Sequence, residues 1–80
     1  MAVKSDLQDW VLDALLALGG TASIIEVARQ IWELREHELR ASGGLFYTWQ
    51  YDMRWAATQL RNGSKIRAKD DSPRGIWQLV

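Results

Sequence analysis

The first apolar stretch of this chain repeats at helical spacing. Its apolar positions are Leu7, Trp10, Val11, Ala14, Leu15 and Leu18. This spacing predicts a helix that buries that face and ends near Leu18, where Gly19 and Gly20 follow. Ser5 and Gln8 have the form of a capping box at its start. Leu12 and Leu16 lie one turn apart on the other side of the helix.

A second helix is predicted from the capping box that Ser23 and Glu26 can form. Its buried stripe would consist of Ile24, Val27, Ala28, Ile31 and Leu34. The stripe would next include Arg35, which is a poor core residue. The helix therefore either ends near Leu34 or continues as a solvated arm, which a Glu36–Arg40 pair would support. The two residues before Ser23, Thr21 and Ala22, allow only a short bridging strand.

A third helix is predicted from Thr48, as its cap, to about Arg61, and Asn62-Gly63 is a stop signal. Its buried face would consist of Trp49, Met53, Ala56, Ala57 and Leu60. Residues 45–47, an apolar cluster after the break at residues 41–44, are expected to fold back onto the core.

The end of the chain has the pattern of a hairpin. Residues 65–69 alternate polar and apolar side chains, residues 70–75 are rich in turn formers, and residues 76–80 can return as a second strand. Ile66, Ala68, Trp77 and Leu79 are expected to point inward. The predicted fold class is therefore α+β, a winged helix-turn-helix. It has three helices, a C-terminal two-stranded wing and a short strand between the first two helices, in one domain spanning residues 1–80.

The composition indicates a small core rich in large side chains. A chain of 80 residues buries only a little over ~60% of its unfolded surface, and five tryptophans can supply much of that burial. The absence of cysteine excludes a disulfide framework, a thiolate nucleophile and a zinc finger. The N-terminal residues do not resemble a signal segment and no run is long enough to span a membrane. We therefore expect a cytoplasmic protein with no membrane partner.

The charges are unevenly distributed although the net charge is zero. Residues 1–40 carry four basic and seven acidic side chains, and residues 41–80 carry six basic and three acidic ones. From Arg54 to Lys69 there are five basic residues and no acidic one. Such a dipolar chain can present one basic face to a nucleic acid. The alternative is an uneven distribution by chance, which short chains often have.

Two sets of polar residues are candidates for contact with DNA. On the third helix, Gln50, Arg54, Thr58 and Arg61 lie opposite the buried face, and these residue types can read base edges in a major groove. On the predicted wing they are Lys65, Arg67, Lys69 and Arg74, which could contact the backbone or the minor groove. The helix set could also be an ordinary solvated face, and the wing lysines could protect an exposed strand edge. The acids at the wing tip, Asp70 and Asp71, would repel phosphate.

Four apolar residues off the main core are candidates for a protein interface. Leu12 and Leu16 form one pair on the first helix, and Tyr51 and Trp55 form another on the third. Exposed apolar pairs on a small domain can mark a partner surface. The alternative is that residues 45–46, or an arm after Leu34, cover one of the pairs.

The sequence argues against an enzyme and offers no cofactor or metal site. His37 is the only histidine, and the acids beside it point in different directions around a helix. Neither glycine pair has the spacing and lysine of a phosphate-binding loop. Asp70 and Asp71 are adjacent turn residues, so they are not placed as an acid and a base. We therefore expect no catalytic residues.

Three motifs in the second half resemble the end of the N-terminal winged-helix domain of Mrr-type restriction proteins. They are Met-Arg-Trp-Ala at residues 53–56, Leu-Arg-Asn-Gly at 60–63 and Ser-Pro-Arg-Gly-Ile-Trp-Gln-Leu at 72–79. The resemblance covers roughly residues 7–79 and implies a winged-helix fold that contacts DNA. In that family a separate nuclease domain follows. Because this chain ends at Val80, we do not expect cleavage.

Two functional hypotheses follow. The first is a small DNA-binding protein with its third helix in the major groove and its wing on the backbone of double-stranded DNA. It would serve as a transcriptional regulator or as an accessory of a restriction system or mobile element. The second is a winged-helix module for protein–protein contact, either as a homodimer or on a larger partner, without direct DNA binding.

Overall fold

The computed structural model describes residues 2–80 and consists of three helices and a two-stranded antiparallel sheet. The helices are α1 (Asp6–Ala17), α2 (Ile24–Arg40) and α3 (Leu45–Asn62), and the strands are β1 (Thr21–Ser23) and β2 (Ile76–Gln78). This is a small α+β domain with a winged helix-like arrangement, as the sequence predicts. None of the described helices is long and apolar enough to cross a membrane.

The core lies between the three helices and the sheet. From α1 it takes Leu7, Trp10, Val11, Ala14 and Leu15, which confirms the predicted face apart from Leu18 at its end, which is only partly buried. From α3 it takes all five predicted residues together with Leu45. Ile66 and Trp77 close it from the C-terminal side.

The start of α1 differs from the predicted capping box. Ser5 has helical backbone angles and its side chain makes no capping hydrogen bond. Instead, the Asp6 carboxylate accepts from the Val3 backbone N–H at 2.9 Å. The chain already makes one turn before α1, and the capping hydrogen bond forms at the start of that turn, at Val3. The Ser5 hydroxyl therefore accepts no hydrogen bond from the backbone N–H groups of α1.

The capping box at α2 is confirmed. The Glu26 backbone N–H donates to the Ser23 hydroxyl at 3.1 Å, and the Ser23 backbone N–H donates to the Glu26 carboxylate at 2.9 Å. The hydrogen bond from the Ser23 backbone holds the pKa of Glu26 below its ordinary value, because it favours the charged carboxylate.

The helix α2 continues past Leu34 to Arg40, but a kink at Arg35 rotates the buried face of its second half relative to the first, which is a change of phase in the helical repeat. Arg35 departs from helical geometry, with φ −128° and ψ 16°. As a result Leu34 is 51% exposed, so its predicted place in the core is wrong, and Leu39 is fully buried instead. The predicted pair is present: the Arg40 guanidinium donates to Glu36 at 2.8 Å.

The start of α3 lies one turn earlier than predicted. The helix begins at Leu45, so residues 45–47 form its first turn and Thr48 is inside it. Leu45 lies one turn before Trp49 and continues the buried stripe of the helix towards its N-terminus. Burial of this side chain stabilises the extra helical turn. The Thr48 hydroxyl donates to Asp52 at 2.8 Å and is not a cap.

The C-terminal segment forms only part of the predicted hairpin. The return strand β2 pairs with β1, with Ala22 opposite Trp77. Residues 65–69 make a single bridge, Ile66 to Leu79, and the predicted strand is wrong beyond it. Ala68 is exposed rather than inward, and a short 3₁₀ helix, Lys69–Asp71, follows. Adjacent aspartates are poor strand formers and Pro73 lacks an N–H for a ladder, which explains why pairing stops there.

Candidate nucleic-acid interface

A groove of about 750 Å³ separates the exposed face of α3 from the loop that leads into β2. The helix contributes Arg54, Thr58 and Arg61, and the loop contributes Lys69 and Arg74. Ile24, Ile76 and Trp77 also line it. Five of the eight residues predicted to contact DNA therefore line one groove, although they come from segments separated in sequence.

The helix side of the groove is set by the regular spacing of α3. Arg54 and Thr58 are exposed one turn apart, and Arg61 follows, half-buried, in the last turn. The Thr58 hydroxyl donates to the Arg54 carbonyl at 3.2 Å, so its own lone pairs and its methyl group stay available to a ligand. The loop side is set by the turn at Gly75, whose φ of 76° favours glycine.

The basic residues in the second half of the chain, after Arg40, make no ion pair with any described carboxylate. Within residues 2–80, the ion pairs use Lys4, Arg35 and Arg40 from the first half. The six basic residues after Arg40 are at distances greater than 4.0 Å from every described carboxylate oxygen. They are Arg54, Arg61, Lys65, Arg67, Lys69 and Arg74. Their charges therefore remain available to an anionic partner.

The groove also contains features that modify this charge. Asp70 lines it beside Lys69, so one carboxylate at the loop end opposes the four cations. The Nε atom of Arg61 is buried without a hydrogen-bond partner among the described residues. That leaves the terminal nitrogens of the guanidinium as the part that can reach an anion in the groove.

The other three predicted DNA contacts lie outside this groove. Lys65 and Arg67 flank the Ile66 bridge with exposed side chains, and the Arg67 backbone N–H donates to the Gln78 carbonyl at 2.8 Å. Gln50 lies two turns before Thr58 and lines a different groove, between α2 and α3. The structure therefore divides the predicted set into a central group and two separate places.

The residues predicted for a protein interface do not form one surface. On α1, Leu16 is 66% exposed, while Leu12 is half-buried against the core. On α3, Tyr51 is 78% exposed, while Trp55 is half-buried. The Lys4 ammonium nitrogen lies 4.4 Å from the centre of the Trp55 ring. The N-terminal segment therefore covers part of Trp55, rather than residues 45–46 or the end of α2.

Residues 2–80 contain no group of three or more histidine, cysteine or carboxylate side chains that could hold a metal ion. His37 is exposed on α2.

Comparison with protein families, curated proteins and solved structures found no match. The resemblance to Mrr-type domains is therefore a hypothesis that rests on the three sequence motifs alone.

Sequence reasoning missed the groove between α2 and α3. The signal was present: Ile25 and Trp32 are large apolar residues seven apart on α2, away from its buried stripe. Two apolar residues at that spacing define a second apolar face on the same helix. Lys4 was also missed, because its position over Trp55 depends on the path of the N-terminal segment.

Proposed function

We propose that this chain is a small winged-helix protein that binds double-stranded DNA. The observation that carries the proposal is the groove that brings together Arg54 and Arg61 of α3 with Lys69 and Arg74 of the loop, none of them paired with a described carboxylate. Such cations can bind phosphates without first giving up an ion pair. Phosphate contacts supply most of the affinity of non-specific DNA binding.

The proposal assigns different roles to the two sides of the groove. Arg54 and Thr58 are exposed near the middle of α3, which suits contacts with base edges when the helix lies in a major groove. Arg61 and Arg74 lie at the end of the helix and in the loop, which suits contacts with the backbone. The loop takes over part of the role expected of a wing strand, while Lys65 and Arg67 are placed for outer phosphates.

The balance of charge predicts modest affinity for a single copy. The net charge is zero, so the cations of the groove act against the acids of the first half of the chain. The resemblance of residues 53–79 to Mrr-type N-terminal domains supports the DNA-binding part of the proposal. It is equally compatible with a transcriptional regulator and with an accessory of a restriction system or mobile element.

The experiment that tests the proposal is a titration of a fluorescently labelled duplex across a series of salt concentrations. Binding through phosphates should weaken with salt, with a log–log slope of about −0.9 for each phosphate contacted. No detectable binding at low salt, or binding that does not depend on salt, would rule the proposal out.

A second candidate function is a protein-interaction or dimerisation module. The observation that favours it is the large exposure of Tyr51 on α3, one turn after the similarly exposed Tyr47. Tyrosine is enriched at interfaces because it combines apolar area with a polar tip. Sedimentation tests the homodimer version: self-association that disappears in Tyr51→Ser supports it, and a monomer at high concentration excludes it.

A further inference from the structure

A second groove, of about 470 Å³, lies between α2 and α3. Its lining is mainly apolar, whereas that of the first groove is rich in arginine and lysine. Its apolar walls come from Ile25, Ala28 and Trp32 on α2 and from Phe46 and Trp49 on α3. The polar residues that line it are Arg29 and Gln50. Ile25 is 70% exposed, so the groove is open along one side.

The aromatic walls hold one another in place. The Trp32 and Trp49 rings are stacked, with centroids 6.1 Å apart and planes 12° apart. Phe46 lies with its centroid 6.4 Å from that of Trp32. Contacts of this kind fix side chains through packing rather than through flexible polar bonds. The groove is therefore a preformed apolar surface. It suits apolar side chains of a partner and not the phosphates of a nucleic acid.

Arg29 is the only charged side chain among the described residues that line this groove. Arg29 lies more than 4.0 Å from every described carboxylate oxygen. The acid one turn before it, Glu26, accepts from the Ser23 backbone. The Arg40 guanidinium lies 5.1 Å from the centre of the Trp32 ring and is paired with Glu36. No carboxylate is among the described residues that line the groove.

We propose that this groove docks an acidic amphipathic segment of another protein. Leucine or phenylalanine side chains of the segment would fill the space between Ile25, Trp32 and Phe46, and a flanking carboxylate would pair with Arg29. Helix-in-groove recognition uses this combination of apolar anchors and charged flanks. The inference concerns a surface separate from the DNA-binding groove and does not depend on that function.

A second copy of this chain fits the groove less well. Groove-to-groove pairing across a two-fold axis would bring two Arg29 side chains into one interface, with no carboxylate in either groove lining to pair with them. The other surface of a second copy that could occupy the groove is the acidic outer side of its α1. There Asp13 is already paired with Arg35 at 3.3 Å, and Leu12 is half-buried, which leaves Leu16 as the exposed leucine.

The test uses two labelled helix-forming peptides and the full chain. Both peptides carry leucine and phenylalanine on one face; one carries glutamate on the other face and its counterpart carries lysine. Fluorescence anisotropy should detect binding of the glutamate peptide in preference to the lysine peptide. Ile25→Asp should weaken that binding about tenfold, because it removes a buried aliphatic contact. Arg29→Glu should reverse the preference between the two peptides.

Matched controls separate the groove from the rest of the surface. Leu34→Asp makes the same change as Ile25→Asp at another exposed position of α2, and Lys65→Glu makes the same change of charge as Arg29→Glu outside the groove. Both should bind the glutamate peptide like the parent chain, and so should Arg61→Ala. Equal binding of the two peptides, unchanged binding by Ile25→Asp and Arg29→Glu, or a dimer that Ile25→Asp abolishes would overturn the proposal.

Discussion

The Arg35 guanidinium lies 3.3 Å from the Asp13 carboxylate, which joins α1 to the point where α2 leaves helical geometry. The same guanidinium lies 3.2 Å from Glu38 and 5.3 Å from the centre of the Trp10 ring. A basic residue that interrupts the buried stripe of α2 in the sequence therefore forms the link between two helices. The change of phase at Arg35 is what turns Leu39 into the core.

Replacing Arg35 by alanine should destabilise the domain. The partly exposed ion pairs and the cation–π contact with Trp10 together contribute about 1 kcal/mol. Urea unfolding followed by circular dichroism measures the loss. Lys65→Ala is the control, because the Lys65 side chain is exposed and makes no ion pair with a described carboxylate, and it should change the free energy of unfolding by less than about 0.5 kcal/mol. An equal loss in the two variants would contradict the role given to Arg35.

Leu39 and Leu34 provide a matched pair of substitutions on one helix. Leu39→Ala should cost about 2–5 kcal/mol, because it opens a cavity in the core. Leu34→Ala should change the free energy of unfolding by less than about 0.5 kcal/mol, because the side chain is largely exposed. Thermal or urea unfolding of both variants decides between them. Equal costs would mean that α2 continues without the change of phase at Arg35.

Ser23→Ala should destabilise the domain and raise the pKa of Glu26 only part of the way to its ordinary value, because the Ser23 backbone N–H, the larger cause of the lowered pKa, remains. The cap contributes about 1 kcal/mol. The pKa of Glu26 is lower in the folded chain than in the unfolded chain. The charged carboxylate therefore adds its full contribution to the free energy of unfolding above the unfolded-state pKa, and that contribution is lost as the pH falls through the folded-state pKa. NMR titration of the Glu26 side chain measures the pKa in both variants. A Glu26 pKa at its ordinary value in the parent chain would show that the capping box does not form.

Most of the local structure could be predicted because local signals determine it. The three helices follow from apolar spacing, and the α2 start follows from the Ser23–Glu26 capping box. The predicted Ser5 capping box is wrong because the preceding residues add a turn, which the pattern does not encode. The predicted start of α3 is too late because Thr48 is a favourable cap residue, although Leu45 continues the buried stripe.

Non-local contacts decided the rest. The core position of Leu39 depends on a change of phase at Arg35, whose partner Asp13 is 22 residues away. Likewise, β2 could pair with residues 65–69 or with β1, and the ladder forms with β1. The face of α3 that carries Arg54 and Arg61 could be predicted from helical spacing. The placement of Arg74 across a groove from them could not, because it depends on the path of the loop.

The most direct test of DNA binding compares two double variants in a duplex titration at low salt. Arg54→Ala/Arg74→Ala removes one exposed cation from each side of the basic groove, and Arg29→Ala/Arg40→Ala removes two exposed arginines that do not line it. We predict that the first variant binds at least about tenfold more weakly, and that its salt slope is shallower by about 1 for each phosphate that it no longer neutralises. The control should bind like the parent chain. Unchanged binding by the groove variant, or an equal loss of affinity in the control, would contradict the assignment of the groove to DNA.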